Sequence, residues 1–362
     1  MGITLADANN LGGSKSGAFK VDGIHIGSDY PCFLIAEVGQ AHDGSLGIAH
    51  SYIDFVADAG FDAIKFQTHI ASQESTLDEP FRERFSWEDQ TRYDYWRRME
   101  FQPEEWSGLK QHAIDQGLIF LSTPFSVAAV DLLEGIGVAG WKIGSGDIAS
   151  KDVLTRVAET KKPVICSTGL SGWPEIDEVV QFLRKSGNPF ALMQATSRYP
   201  TSLDEIAIGL MDVIHRRYHV PVGLSDHSGV VWPSIYAVAK GANLIEVHVT
   251  IDRNMFGPDS KCSLTPSELK MIREGRDAFD ILAGDIRDKD DVFPGLEETK
   301  IIFQRSACTR KPMKTGDVLT PEDVMFKKPG GGITREQIGE FIGKTLRRDV
   351  TPMRILRPDD FG

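Results

Sequence analysis

From Pro31 to Ala283 the chain repeats one pattern: a short apolar run, then a longer stretch whose apolar residues fall on one helical face. The runs are Cys32–Val38, Ala63–Phe66, Leu118–Leu121, Gly140–Ile143, Pro163–Cys166, Phe190–Gln194, Val220–Leu224 and Leu244–Val249. Each is continuous rather than alternating in polarity, as in strands buried on both faces of a parallel sheet. Between them, Leu46, Ala49, Ile53 and Val56 recur at helical spacing, as do Ile176, Val179, Val180 and Leu183, with Pro174 suited to a first helical turn. Thr265-Pro266-Ser267-Glu268 predicts a capping box ahead of Leu269 and Ile272. Eight β-then-α units predict a closed (β/α)8 TIM barrel. The alternative is a doubly wound open sheet, but no glycine-rich dinucleotide loop follows the first run.

The flanks read differently. Residues 1–17 are small and polar without an apolar centre, which predicts a disordered leader rather than a signal peptide. Phe19–Ile26 partly alternates and predicts a hairpin capping the barrel floor, so the first domain is expected over residues 18–283. The charged stretch that follows predicts a linker over 284–304. Residues 305–362 change texture and predict a second, small domain near the lower size for independent folding. There Lys314-Thr315-Gly316-Asp317 predicts a turn, Thr320-Pro321-Glu322-Asp323 a helix start, Pro329-Gly330-Gly331-Gly332 a loop, and Thr334-Arg335-Glu336-Gln337 another short helix.

Composition narrows the class. With 362 residues and 41% hydrophobic content the chain can bury a large core. A net charge of -12 argues against nucleic acid or an anionic membrane surface as partner, though a few lysines can still make a local pocket for a small anion. No run approaches the ~18 apolar residues of a membrane span. Cys32, Cys166, Cys262 and Cys308 form no CxxC pair and predict reduced, buried thiols in a cytoplasmic protein.

The chemistry gathers at the ends of the runs, which form the active-site face of a β/α barrel. Those ends carry Glu37, Lys65 and Gln67, Ser122-Thr123, Lys142 and Ser145, Ser167-Thr168, Thr196-Ser197, Ser225-Asp226-His227, and His248. Polar groups at one end of all eight strands are hard to explain by packing and predict a site. His227 and His248 end neighbouring strands, and two imidazoles in an oxygen-rich mouth suit Mn, Zn, Co or Fe(II). Asp226 or Glu246 is a candidate supporting partner, and alternation points Glu246 the same way as His248. Lys65 and Lys142 facing one mouth imply an anionic ligand or carboxylate partners, with the hydroxyls completing a phosphate or carboxylate cradle. A Schiff-base aldolase also places lysine on a barrel strand. Glu37 is either a general acid, base or charge stabiliser, or a salt-bridge partner of Lys65.

Several stretches resemble the sialic acid synthase family, whose members make N-acetylneuraminic acid and its legionaminic and pseudaminic relatives. They are Ile35-Ala36-Glu37-Val38-Gly39, Lys65-Phe66-Gln67-Thr68-His69, Ser122-Thr123-Pro124-Phe125-Ser126, Lys142-Ile143-Gly144-Ser145-Gly146, Ser167-Thr168-Gly169, Tyr199-Pro200-Thr201, Gly223-Leu224-Ser225-Asp226-His227 and Gly257-Pro258-Asp259. They lie in family order across the whole barrel, and the tail from Arg305 resembles the antifreeze-like (SAF) domain of these enzymes. The resemblance implies a TIM barrel holding a divalent metal, Mn2+ foremost with Co2+ or Mg2+ as alternatives, on His227 and His248. It implies condensation of phosphoenolpyruvate with an amino sugar of the N-acylated mannosamine type, giving a nine-carbon 3-deoxy-2-keto acid and phosphate. It implies that Lys65, Thr123, Lys142, Ser145, Ser167, Ser197 and Ser225 hold phosphoenolpyruvate. Gln67, Tyr199, Asp259 and Lys328 would contact the sugar, with Glu37 at the reacting carbon, in a homodimer with swapped C-terminal domains. Lys328 stands where many relatives carry an arginine, and lysine offers a point charge in place of a planar fork. Ala195-Thr196, Ser197 and Ala41-His42-Asp43-Gly44 also differ from common family patterns.

Three function classes remain open at this point. One is the sialic-acid-type synthase. Another is a related synthase whose acceptor is a sugar phosphate, with Arg253 and Lys261 as candidate cations, or a diacetamido-trideoxyhexose. The last is a non-catalytic carbohydrate- or ice-binding protein, suggested by the tail alone.

Overall fold

The computed structural model describes residues 17–82, 84–283 and 295–362, and the chain divides into two compact units, Met1–Gly284 and Asp285–Gly362. The expected leader lies outside the described residues, apart from Gly17, as does the linker segment 284–294.

Each of the eight apolar runs becomes a strand: β3 (Phe33–Gly39), β4 (Ala63–Thr68), β5 (Ile119–Pro124), β6 (Trp141–Ile143), β7 (Val164–Ser167), β8 (Phe190–Ala195), β9 (Val222–Asp226) and β10 (Leu244–His248). They pair in parallel in the order β5-β4-β3-β10-β9-β8-β7-β6. The ends of this sheet, β5 and β6, lie side by side, so the barrel is nearly closed. The helices form where the apolar spacing placed them. Leu46–Asp58 is capped by the Ser45 hydroxyl and buries Ala49, Tyr52, Ile53 and Val56. Trp173–Ser186 buries Ile176, Val179, Val180 and Leu183. The Thr265 backbone and hydroxyl both donate to Glu268 Oε2, at 2.8 and 2.7 Å, and open the helix Pro266–Ala283.

Residue alternation sorts the strand side chains into two layers. Leu34, Ala36, Val38, Ile64, Phe66, Phe120, Cys166, Leu192 and Leu224 face the helices and make the larger core with them. Phe33, Ile35, Ala63, Ile119, Leu121, Ile165, Ala191, Met193 and Leu244 fill the barrel interior. The hairpin of β1 (Phe19–Val21) and β2 (Ile24–Ile26) turns through Asp22 and Gly23, both at positive φ, and adds Phe19, Val21 and Ile26 to that inner cluster. The floor is therefore plugged. Gly223 faces Leu244 so closely that a Cβ would lie 2.2 Å from its carbonyl oxygen, which is why no side chain fits there.

The second unit has its own small core of Ala307, Met313, Leu319, Val324, Ile333, Leu346, Val350, Leu356 and Phe361. Its ladder joins β11 (Ser306–Thr309) to β12 (Val324–Lys327). Glu297–Phe303, within the expected linker, is a helix, and the Ile301 carbonyl accepts from Gly330 at 2.7 Å. The expected helix starts in this unit shorten to single 3-10 turns, Pro321–Asp323 and Ile338–Glu340. At the first, Asp323 caps Thr320 and the chain passes straight into β12, leaving no room to propagate a helix. All four cysteines are buried free thiols. Among the described residues no helix is long and apolar enough to cross a membrane.

Candidate active site

The strand register places the polar inward residues directly above the apolar plug. Along β3 the inward positions read Phe33, Ile35, Glu37; along β4, Ala63, Lys65, Gln67; along β10, Leu244, Glu246, His248. Glu37 is level with both Lys65 and His248 in the ladders on either side of β3. A bulge between Glu37 and Gly39 then turns the chain out of the sheet.

Two lysines and two carboxylates form the centre. Lys65 Nζ lies 3.0 Å from Glu37 and 3.4 Å from Glu246, and it donates to Thr123 Oγ1 at 3.3 Å. Lys142 Nζ lies 3.4 Å from Glu246 and donates to Ser167 Oγ at 2.7 Å. Ser225 donates to Glu246 at 3.1 Å. All four charged side chains are at most 4% exposed, so the pairing is what makes their burial tolerable. Burial opposes the charge of Glu246, but Lys142 and Lys65 outweigh it and hold the carboxyl down at about 2. Burial likewise opposes the charge of Lys65, yet Glu246 and Glu37 together raise its pKa. For Lys142 burial wins: it outweighs the pull of Glu246 and of Glu37, with Lys65 as a like-charged neighbour, and the pKa falls. The salt-bridge reading of Glu37 is met, since it pairs with Lys65 at the mouth. Glu246 ties the two lysines together. Its alternation with His248 was the signal in the sequence; its bridging role was not visible there.

His227 and His248 meet with ring centroids 5.4 Å apart. His227 Nδ1 lies 2.9 Å from the Thr196 carbonyl, so that nitrogen carries the proton and Nε2 keeps its lone pair. Burial, with help from His248, lowers the His227 pKa to about 4 and leaves the ring neutral at neutral pH. His248 Nδ1 is buried with no hydrogen-bond partner among the described residues, 3.8 Å from Asp259 Oδ2. Among the described residues no three His, Cys, Asp or Glu side chains converge as a metal cluster. Two adjacent imidazoles, one with a buried nitrogen unpartnered among the described residues, fit a divalent ion whose other positions would be filled by water and substrate oxygens.

A cavity of about 390 Å³ opens above this centre, lined by Gln67, Ser145, Ser197, Tyr199, His248 and Asp259 among the expected residues. Tyr199 stacks on His227 at 4.3 Å. Ser145 Oγ accepts from the Gly169 amide at 3.0 Å, and Ser197 Oγ is buried without a partner among the described residues. A Cβ on Gly169 would lie 2.6 Å from Ser197 Oγ and 3.0 Å from Ser145 Oγ, so glycine is what lets both hydroxyls close on one point. The structure thus brings every barrel residue expected from the sequence to one end of the barrel. Lys328 lies in the second unit, where its ammonium sits 4.5 Å from the Phe303 ring centroid.

Arg82, Arg92 and Asp147 are among the lining groups that had gone unrecognised. Arg82 bonds Asp259 at 3.1 Å and covers the Tyr199 ring at 4.3 Å. Arg92 pairs with Glu79 at 3.3 Å. Asp147 has its carboxyl pushed up to about 6 by burial and by the charge of Glu74. The arginines sit on or beside a loop with no regular period, which hides them from pattern analysis.

Comparison with known proteins agrees with this geometry. N,N'-diacetyllegionaminic acid synthase of Campylobacter jejuni is 32% identical over 330 residues, covering 90% of this chain and 98% of that protein. Human N-acetylneuraminate-9-phosphate synthase is 30% identical over 345 residues, covering 92% and 95%. The crystal structure of an N-acetylneuraminic acid (sialic acid) synthetase from Leptospira borgpetersenii, in complex with citrate, superposes with a TM-score of 0.69 at 31% identity, covering 79% of this chain and 96% of that one. Residues 304–362 match a SAF domain, and with residues 52–287 matching the NeuB family, the chain belongs to that family of synthases.

Proposed function

We propose that the protein condenses phosphoenolpyruvate with an open-chain N-acylated mannosamine-type sugar, giving a nine-carbon 3-deoxy-2-keto acid and phosphate. The observation that carries this is the buried Lys65–Glu37/Glu246–Lys142 centre beside the two imidazoles of His227 and His248 at one barrel mouth. His227 and His248 would hold a divalent ion such as Mn2+, which when bound would supply Lewis-acid polarisation of the acceptor carbonyl. Lys65 and Lys142, with Thr123, Ser145, Ser167, Ser197 and Ser225, hold the phosphate and carboxylate of phosphoenolpyruvate. Carbon 3 of phosphoenolpyruvate bonds to the aldehyde carbon, and the carboxylate of Glu37 stabilises the positive charge that develops at carbon 2. Water adds at carbon 2, and the adduct expels phosphate. Tyr199, Gln67 and Asp259 orient the acceptor.

The acceptor is read as unphosphorylated because the arginines near it are already paired: Arg82 with Asp259, Arg92 with Glu79, and Arg253 with Glu268 at 2.8 Å. The test is phosphate release from phosphoenolpyruvate with N-acetylmannosamine, its 6-phosphate and diacetamido-trideoxyhexoses, with and without Mn2+. Release is expected with an uncharged acceptor and metal together. Release that ignores metal removal, or that requires the 6-phosphate, overturns the corresponding part.

A further inference from the structure

A second polar chain leads away from Glu37, and none of the steps above uses its far end. Gln67 Nε2 donates to Glu37 Oε1 at 2.7 Å. Gln67 Oε1 accepts from Gln40 Nε2. The same Gln40 nitrogen lies 2.9 Å from His69 Nε2, and His69 Nδ1 lies 2.6 Å from Glu74 Oε1. Glu74 is itself held by the Ile70 amide at 3.3 Å. An amide nitrogen can only donate, so the shorter contact to Gln40 asks His69 Nε2 to accept, with the proton on Nδ1 facing Glu74; the same Nε2 also lies 3.3 Å from Gln67 Oε1, to which an Nε2–H tautomer would donate instead.

The polarity of the chain is therefore fixed at both ends. Each end is a carboxylate that accepts, and each link between them can run only one way if both are satisfied. Reversing the Gln67 amide would set its carbonyl oxygen against the Glu37 carboxylate. The central groups cannot easily escape this constraint. Gln40 and His69 are buried, and the imidazole is clamped between Trp96 at 3.9 Å and Phe125 at 4.4 Å, both within 13° of parallel. Gly39, at φ 55°, lets the chain leave β3 so that Gln40 turns back over Gln67; a Cβ there would lie 3.6 Å from both Gln67 Nε2 and Glu37 Oε1.

We infer that His69 and Gln40 are positioning residues: through the Gln67 amide they fix which oxygen of Glu37 is held and which is left for Lys65 and the reacting carbon. The inference rests on the proposed condensation for its kinetic consequence, but its polarity can be read without turnover. His69→Phe keeps the aromatic stack and removes the acceptor. His69→Gln keeps an acceptor near the Nε2 position.

In the full-length protein, His69→Phe is expected to lower kcat at least ~10-fold with the phosphoenolpyruvate KM little changed, and His69→Gln to recover most of the loss. Equal activity of both variants, whether full or lost, overturns the inference. If His69→Phe fails to fold, Gln40→Leu reads the same link, and wild-type kcat in that variant overturns it. Independently, imidazole nitrogen NMR of the labelled wild-type protein is expected to show the Nδ1–H tautomer for His69, and an Nε2–H tautomer sinks the relay. A wild-type protein that releases no phosphate with any acceptor removes the proposed function, while the tautomer still decides the relay.

Discussion

The floor and the mouth of this barrel are made from the same strands, read at different inward positions. At the floor, Phe33, Ile35, Ile119, Leu121, Ile165, Met193 and Leu244 pack dry against Phe19, Val21 and Ile26 of the hairpin. One or two inward positions further along, Glu37, Lys65, Ser167, Glu246 and His248 replace them, nearly all equally buried. The two ends thus differ in chemistry, not in exposure. Burial of apolar groups at the floor stabilises the fold, whereas burial of four charges at the mouth costs free energy that only mutual pairing offsets. A closed, plugged floor gives the mouth a rigid and water-poor base on which charges act strongly.

The largest effect that separates the two ends is expected from Lys142→Met. It leaves Glu246 with Lys65 and Ser225, so folding should survive, while kcat/KM for phosphoenolpyruvate falls ~100-fold or more through the lost anion contact. Activity within a few-fold of wild type would break the assignment of the mouth to anion binding. The floor counterpart is Phe33→Ala, expected to destabilise by ~3–5 kcal/mol in denaturant unfolding while kcat per folded molecule stays near wild type. A kcat loss as large as that of Lys142→Met would show that the ends are not separable.

Gly169→Ala should be intermediate. Its Cβ would displace the Ser197 and Ser145 hydroxyls, so a ~10-fold rise in the phosphoenolpyruvate KM is expected, with little change in Tm. The smallest effect is expected from Asp147→Asn. Its folded pKa of about 6 lies above the usual ~3.9, so ionising it opposes folding increasingly as pH rises from 4 through 6. The variant should therefore melt higher than wild type at pH 7.5 and level with it at pH 4. The reverse ordering would mean that this carboxylate stabilises the mouth instead of straining it.

Much of this was legible in the sequence. All eight strands begin at or just after the start of an apolar run, and the barrel residues expected at the site reach one end of it. The helices Leu46–Asp58, Trp173–Ser186 and Pro266–Ala283 were equally plain, because apolar spacing and caps are local signals. The small second unit was less legible. Its pieces are single turns and four-residue strands, too short for a period to emerge, and the charge-rich segment around Glu297–Phe303 hid a helix.

The sequence by itself determined where the strands lie and which of their ends is polar, since alternation and continuous burial are set by neighbours along the chain. Only the tertiary structure decided that Glu246 bridges Lys65 and Lys142, that Arg82 is spent on Asp259, and that Trp96 and Phe125 clamp His69. Except for Trp96 and His69, which are both in the stretch between β4 and β5 but 27 positions apart, each of those contacts joins residues from separate β/α units. Their meeting depends on the stagger and closure of the whole sheet, and no local pattern encodes that.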